Sequence, residues 1–465
     1  MNRAATGVVR TPKWLTRALS SLKREAGLAI VFCLSASVAV RAQAPTNGVP
    51  GESSQPPAES LSLTEAQRAA FERNWDLLAA KSGIGLATAQ LIVAKEFPNP
   101  TANWTTFKVG SRQAATPLGN TLWDRNYDSL ATVSQLIEIA GKRHDRQMAA
   151  RAGIQGAKAR FYDAKRTLDQ GVTKAYIAAL LAQENVLVLN QSAGYLRHEA
   201  QIAEVRFKAG DISESDEKQI EINADQFELQ AKAAEATAVQ ARIGVEVLMG
   251  LTHPKGAWRP VESLDNLAGL LAPPPAETKP NAARPDVLAA EADLRGGLAN
   301  LKLQKALRIP DPTFSLGYEH EPPGGGPPVD TFNLGVSFPL PLWNRNGGNI
   351  KAAQASLQQF EFALGKVRTQ AKADVANAEV EYGEADRRLH RYQEQIRPKA
   401  TQVRESVAFA YEKGGASLVD LLDAERTDND VRLAAAQALS DTASAVADLK
   451  AARTVLSEAE LNSNK

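Results

Sequence analysis

Apolar residues recur along this chain in two rhythms. From Leu168 the run Leu168, Val172, Ala175, Ala179, Ala182, Val186, Leu189, Ala193, Leu196, Ala200, Ala203, Phe207 advances in alternating steps of four and three. That is the heptad seam of a helix packed against other helices. Shifted by 203 positions, the seam returns as Val375, Ala378, Tyr382, Ala385, Leu389, Tyr392, Ile396 and Val403, interrupted by Lys399. A helix from His144 to Phe207 would be about 95 Å long at ~1.5 Å per residue, deeper than any compact globular domain. The second rhythm has period two. Phe314, Leu316 and Tyr318 alternate with Thr313, Ser315 and Gly317, and after "EPPGGGPPVD" the residues Phe332, Leu334, Val336 and Phe338 alternate again. Together they predict a hairpin with one apolar face. A less regular pair, near residues 100–110 and 125–139, has Trp104, Tyr127 and Val133 as its apolar marks.

The two rhythms belong to an internal duplication. "FPNPTANW" from Phe97 and "IPDPTFSL" from Ile309 share a Pro-Asx-Pro-Thr core; "VSQLIEIAG" from Val133 aligns with "VSFPLPLWN" from Val336, and "RFKAGDISESD" from Arg206 with "AYEKGGASLVD" from Ala410. Each half therefore predicts the order helix, strand, loop, strand, very long helix, short break, second long helix. The breaks carry glycines suited to closing a helix (Gly210; Gly414 and Gly415) and a serine suited to starting the next (Ser213; Ser417). These signals divide the chain into a leader (1–44), an N-terminal linker (45–61), a first repeat (62–251), a Pro/Gly-rich segment beside the waist (252–282), a second repeat (283–452) and a polar tail (453–465). The fold class expected is mainly α with a small β part.

In "FPLPLWNRNGG" the strand is stopped firmly. Pro339 and Pro341 cannot donate ladder hydrogen bonds, so pairing must end there, and Asn344 to Gly348 allow the turn into the next helix. Trp343 suits a membrane interface or plain packing equally. A coiled-coil stalk would explain the helices alone, but it has no need of a hairpin at one end.

Composition adds an address. Basic Arg10, Lys13, Arg17, Lys23 and Arg24 precede the apolar "AGLAIVFCLSASVAV", and "RAQA" ends in a small-residue cleavage pattern, so a signal peptide cut after Ala44 is expected. A retained anchor is the alternative, from a run shorter than a spanning helix needs. Residues 1–44 hold seven of the 54 Lys and Arg and one of the 53 Asp and Glu, leaving 47 against 52, a net charge of −5. That offers no surface for nucleic acid. The single cysteine, Cys33, falls in the leader without the small residue that a lipoprotein signal places before it, so no acylation and no later thiol chemistry is expected. Histidines 144, 198, 253, 320 and 390 are scattered, and HExxH, GxSxG, Walker A and GxGxxG patterns are absent. "GGG" at Gly324 sits among prolines as a loop tip. We expect no enzyme, no cofactor and no resident metal.

An exported chain with no further spanning helix and only short strands can cross a membrane only as a closed β-barrel, because an open sheet edge is not satisfied in lipid. Four strands of the ~9–11 residues required cannot close alone. Several copies could pool their strands into one barrel and their helices into one tube. At this point the repeat, the "NP" and "DP" strand entries, "FPLPLW" and above all "AYEKGGASLVDLLDAE" resemble the TolC-type outer membrane factors of bacterial efflux and secretion. The resemblance spans nearly the whole chain after the leader. It implies a homotrimer in the outer membrane with a twelve-stranded barrel and a periplasmic helical tunnel closed at its tip. It also implies a periplasmic adaptor and an inner-membrane pump, and solute export without covalent chemistry.

The family's gate acids fall here on Asp420 and Asp423, whose rings would favour cations. Ser417 with Asp420, like Ser213 with Asp216, is equally a capping box. Tyr411 matches the family's closing aromatic hydroxyl, with Asp216 as its acceptor, while Ala416 stands where the family's arginine is expected. "VSQLIEIAGKRHDRQ" is most similar to the branch serving heavy-metal pumps of the RND class. A protein-secretion outer component shares the architecture; a secreted coiled-coil scaffold would be a different class, soluble and without conductance.

Overall fold

A computed structural model describes residues 60–107, 128–270, 273, 282–321 and 329–463. The expected leader, the linker up to residue 59, Tyr127, the turn at Gly324 and most of 271–281 lie outside the described residues.

Both halves follow the predicted order. The first runs β1 (Ser60–Leu61), α1 (Leu63–Arg73), α2 (Trp75–Lys95), β2 (Thr101–Thr106), β3 (Ser129–Leu136), α3 (Lys142–Ala209) and α4 (Glu214–Leu248). A connecting stretch holds β4 (Arg259–Pro260), α5 (Leu264–Leu270) and β5 (Ala282–Ala283). The second half runs α6 (Pro285–Ala306), β6 (Thr313–Glu321), β7 (Val329–Ser337), α7 (Gly347–Arg391), α8 (Arg397–Glu412) and α9 (Leu418–Arg453), followed by β8 (Leu456–Ser457) and α10 (Glu458–Ser463). The 68 residues of α3 span about 100 Å at ~1.5 Å each. Its predicted seam is the buried stripe, from Leu168 through Val172, Ala179, Leu189 and Leu196 to Ala203; the last member, Phe207, is exposed.

The helices stand side by side in one layer. Near the strands α3 lies between α2 and α6, with α7 beyond α6; nearer the other end α3 lies between α4 and α9, with α7 and then α8 beside α9. Ion pairs mark these neighbours, Arg160 with Asp293 between α3 and α6, Arg197 with Asp225 between α3 and α4, and Arg388 with Asp441 between α7 and α9. One layer leaves the α7 edge thinly covered, and of its 45 residues only Ala353, Leu364, Ala378, Ala385 and Leu389 are buried.

Among the described residues two helices, α2 and a stretch of α3, are apolar enough to cross a membrane by length and composition, where the sequence predicts none after the leader. Half of the α3 stretch is buried in the layer. α2 instead leaves Leu86, Ile92 and Val93 exposed.

Pro398 does not break the second long helix. It removes the N–H that would reach the Glu394 carbonyl, and its ring would crowd that carbonyl. The chain responds with a π turn over Tyr392–Ile396, in which the Arg397 N–H reaches the Tyr392 carbonyl, and α8 continues.

At the waist the connecting stretch wraps the middle of α3. β4 pairs with β1 and β5 with β8, so this stretch is tied to both ends of the described chain. Trp258 stacks on Tyr176 of α3 at 5.7 Å and donates to the Arg242 carbonyl at 3.2 Å. The Tyr176 hydroxyl donates to the Leu61 carbonyl at 2.8 Å and bonds the Glu262 carboxylate. Glu246, fully buried, accepts from the Gly256 N–H at 2.8 Å.

Candidate functional site

The four longer strands form one antiparallel sheet in the order β2-β3-β6-β7. Its register brings Phe314 opposite Val336, Leu316 opposite both Leu334 and Val133, and Tyr318 opposite Phe332, while Trp104 faces Ala131. Paired residues share a face, so this face is apolar through the middle of the sheet, where Trp104, Leu316, Phe332, Leu334 and Val336 are all exposed; Gln135 lies at one end of it and Thr106, Ser129, His320 and Asp330 at the other. The opposite face carries Thr101, Asn103, Thr132, Ser134, Ser315, Glu319, Thr331 and Asn333, with Asn333 donating to Glu319 at 3.0 Å. No Lys or Arg lies in these four strands. Such a sheet suits lipid on one side and water on the other. Its edge strands β2 and β7 have no partner on their outer sides among the described residues.

β7 ends at Ser337, two residues before Pro339, as the missing proline donors require. Beyond it Pro341 leads to Trp343, which is 94% exposed and so packs on nothing among the described residues. The turn into α7 is made by Asn346 in the left-handed region, with its N–H bonded to Asn344 and its side chain to the Gln304 carbonyl of α6. At the corresponding joint of the first half, Lys142 is buried; its ammonium lies 2.6 Å from Asp311 and donates to the Ile309 carbonyl at 2.5 Å. Asp311 also accepts from the Ile139 N–H at 2.9 Å. The entry to β6 is thereby fastened to the exit from β3.

At the far end both helical turns have one design. Gly210 and Gly414 adopt φ of 84° and 75°, and the next N–H in each case, Asp211 or Gly415, reaches back to the carbonyl of Arg206 or Ala410. These are the glycine-closed helix ends predicted from the sequence. Ser213 and Ser417 then cap α4 and α9.

The two caps differ. At Ser417 the box is complete: the Asp420 N–H donates to the serine hydroxyl at 3.2 Å and the Asp420 carboxylate accepts from the Ser417 N–H at 3.0 Å. Those bonds from the Ser417 hydroxyl and backbone hold the Asp420 carboxyl below its ordinary range. At Ser213 only the first half of the box forms, with the Asp216 N–H donating to the hydroxyl at 3.1 Å. The reciprocal box expected there is thus corrected, and the Asp216 charge acts instead on Tyr411. Asp423 is exposed on the same turn of α9.

The Tyr411 ring is half-buried beneath the Arg206 guanidinium of α3, 5.6 Å from its centroid. Burial pushes the Tyr411 hydroxyl up, with Arg206 opposing and Glu199 and Asp216 assisting. The expected Tyr411–Asp216 hydrogen bond is not formed within the protomer. An arginine does stand by Tyr411, but α3 supplies it rather than position 416.

Two to three turns behind the tip lies a cluster that the sequence reading missed. Glu199 and Tyr195 of α3, Thr401 and Arg404 of α8, and Glu425 and Asp428 of α9 meet between the three helices. The Arg404 guanidinium is 3.6 Å from each of Glu425 and Asp428 and 5.8 Å from the centre of the Tyr195 ring. Thr401 donates to Asp428 at 3.1 Å, and beside it Ser192 bonds Asn429 at 3.0 Å. Burial pushes the Glu425 carboxyl up to about 7, with Arg404 opposing and Asp428 and Glu199 adding to the rise. Glu199 is raised by burial as well. A signal was present in the sequence: Leu418, Leu421 and Leu422 set an apolar stripe that continues one heptad later as Glu425, Asp428 and Asn429.

Among the described residues no group of three or more His, Cys, Asp or Glu side chains is placed to hold a metal ion.

Comparison with known proteins agrees with this geometry. Among curated relatives, the cobalt-zinc-cadmium resistance protein CzcC of Cupriavidus metallidurans is 28% identical over 410 residues, covering 86% of this chain and 91% of that one. Among solved structures, the outer-membrane channel OprN superposes with a TM-score of 0.68 at 19% identity, over 84% of this chain and 89% of that one. The Campylobacter jejuni CmeC outer membrane channel superposes with a TM-score of 0.69 at 16% identity, over 84% and 85%. The family described as outer membrane efflux protein matches residues 67–251 and again 281–453, one match to each half of the duplication. With both repeats so matched, the chain belongs to the outer membrane efflux protein family and forms an exit duct in the outer membrane that reaches into the periplasm.

Proposed function

We propose that the duct is a homotrimer serving a periplasmic adaptor and an inner-membrane pump of the RND class, and that its cargo is heavy-metal cations. The observation that carries the trimer is the open sheet. Four strands with an apolar face and two edges unpaired among the described residues cannot rest in lipid, whereas three copies would close into twelve strands. The same assembly would set the bare α2 and α7 edges of neighbouring protomers against each other. Trp343 then reaches the membrane interface, where an amphipathic ring is favoured. The outer membrane lipid meets the face of Leu316 and Leu334, and cargo meets the face of Ser315 and Asn333.

The cargo reading draws on the name of CzcC, a cobalt-zinc-cadmium resistance protein, and on the first-half stretch "VSQLIEIAGKRHDRQ". Drugs are the second choice. Export of a protein substrate is a further reading, which the same architecture would serve. At the tip, Asp420 and Asp423 from three protomers make the cation-favouring constriction, with Tyr411 and Asp216 beside it and the glycine turns at Gly210, Gly414 and Gly415 setting its shape. The duct supplies no energy and needs no cofactor.

The test is recovery of the protein from outer-membrane fractions after crosslinking, with partner identification, together with metal susceptibility of a deletion strain. We expect a trimer that resists heating in detergent, an adaptor and an RND pump in the crosslinked material, and increased sensitivity to cobalt, zinc or cadmium. A monomer in detergent overturns the trimer. Unchanged susceptibility to all three metals overturns the cargo.

A further inference from the structure

We infer that Arg404 is the positioning residue of the tip: it holds α8 on α9 and α3 through a buried cluster with more carboxylates than one guanidinium neutralises, and the latch loosens when the cluster loses its last proton. The inference rests on the duct reading above, and its test is arranged to fail separately from that reading.

α8 is poorly anchored by apolar packing. Of its sixteen residues only Ala400 is buried. Its polar attachments to α9 and α3 therefore matter more than usual, and they converge on Arg404. The guanidinium stands 3.6 Å from Glu425 and from Asp428 of α9 and over the Tyr195 ring of α3, shared between acceptors and tightly bound to neither. The Arg404 Nε and one oxygen of Glu425 have no hydrogen-bond partner, although Glu425 is only 5% exposed.

Fully ionised, Glu199, Glu425 and Asp428 would set three negative charges against one positive. Other charges nearby do not redress this. On α3, His198 and Arg206 act on Glu199, and on α8 Glu412 opposes them. Arg426, next to Glu425 on α9, is turned to Asn223 of α4 at 2.5 Å. Glu405 lies beside Arg404 on the outer side of α8, at 3.5 Å. A surplus buried charge is costly unless it is neutralised by a proton or let out to water.

The direction in pH follows. The Glu425 carboxyl is raised from 4.5 to about 7, by burial first. A carboxyl raised on folding favours the packed state while protonated. The penalty for ionising it grows as pH passes its ordinary value and is complete above about 7. The cluster is thus tight in mild acid and loose above neutrality. Glu425 lies eight residues past the Ser417 cap, about 12 Å behind the turn at ~1.5 Å per residue, so release of α8 there frees the Gly414–Gly415 turn that joins α8 to the Ser417 cap. The π turn of Tyr392–Ile396 marks the other end of the segment free to move.

Hydrogen exchange over residues 397–412 of the full mature protein in detergent tests this. After correction for intrinsic rates, protection of α8 should fall about tenfold between pH 6 and pH 8.5 in the parent and by less than about twofold in Glu425→Gln. Arg404→Gln should expose α8 at every pH, Arg404→Lys should retain part of the protection, and adding Glu425→Gln and Asp428→Asn to Arg404→Gln should restore it, which loss of packing would not do. Bilayer conductance should rise with pH in parallel. The inference is overturned if Glu425→Gln keeps the parent's pH response, or if Arg404→Gln is protected like the parent. Should Arg404→Gln not fold, Glu425→Gln, nearly isosteric, decides alone. Absence of current at every pH, with the exchange pattern as expected, counts against the duct reading and leaves the latch standing.

Discussion

Replacing Lys142 by Met would test whether the sheet and the helical layer are joined by charge. The side chain is 3% exposed, and its ammonium meets Asp311 at 2.6 Å and the Ile309 carbonyl at 2.5 Å. Met preserves most of the stem volume, so little cavity forms and the loss is chiefly electrostatic. Removing one member of a buried pair costs about 3–5 kcal/mol, because the remaining charge is left uncompensated. Asp311 retains the Ile139 N–H and is 17% exposed, which places the loss near the lower end, about 3 kcal/mol. The assay is a double-mutant cycle by denaturant unfolding in detergent, with Lys142→Met, Asp311→Asn and both together. The double variant should cost no more than either single one, giving a coupling of about 3 kcal/mol, since no charge is then stranded. If the two single losses simply add, Lys142 is a packing residue and the joint does not depend on the ion pair.

Four further outcomes are expected. Ser417→Gly removes the cap hydroxyl and should cost a few tenths of a kcal/mol with little change in reversal potential, whereas Asp420→Asn keeps a cap acceptor and should reduce cation selectivity; selectivity unaltered in Asp420→Asn assigns that residue to capping alone. Because the Ser417 bonds hold the Asp420 carboxyl below its ordinary range, its capping contribution is present above that range and should fade only as pH falls through the lowered value, visible as acid-side fraying of α9 by hydrogen exchange. Leu334→Lys puts a charge on the lipid face and should cost about 2–4 kcal/mol near the bilayer centre, while Asn333→Lys on the other face should assemble normally; equal yields of assembled protein would contradict the assignment of faces. Trp258→Ala should cost about 3–5 kcal/mol and expose residues 252–270 to proteolysis, with no effect expected if the stack on Tyr176 is incidental.

Much of this was legible before any coordinates, for physical reasons that differ by element. The seam of α3 could be read because its burial comes from neighbours at constant spacing, so the heptad in the sequence is the heptad in the packing. Gly210 and Gly414 could be read because a helix end that reverses the chain needs a positive φ. The sheet faces could be read in β6 and β7, where alternation is clean, and less well in β2, where Thr105 and Thr106 dilute it. Three features were not legible. The π turn arises from Pro398 acting on a helix that tertiary contacts hold together, and a local rule predicts only a break. The half-formed box at Ser213 has the same serine-aspartate spacing as the complete one at Ser417, so spacing alone does not separate them. The Arg404 cluster needs three helices at once, and only its α9 component left a mark, in acids that occupy seam positions.

The two halves share one plan, and their differences locate what can move. α3 runs unbroken for 68 residues, with a buried stripe along it, and packs against α2, α4, α6 and α9. Its counterpart has a π turn at Pro398 and, beyond it, a segment with one buried residue, Ala400, the half-buried Tyr411 near its end and a set of polar contacts. A duplicated layer in which both long helices were equally buried would be a rigid wall with no preferred place to yield. Here the second half is expected to yield first, because a hydrogen-bond ladder already rearranged at the π turn offers less resistance to bending than the continuous ladder of α3. The tips repeat this asymmetry. The Asp420 carboxylate is bound into its cap and moves with α9, whereas that of Asp216 is outside the box and acts on a tyrosine carried by α8. Movement of α8 therefore changes the surroundings of Asp216 and Tyr411 while the Ser417 cap stays intact, so a spectroscopic probe near Tyr411 should respond to opening before any probe in α9 does.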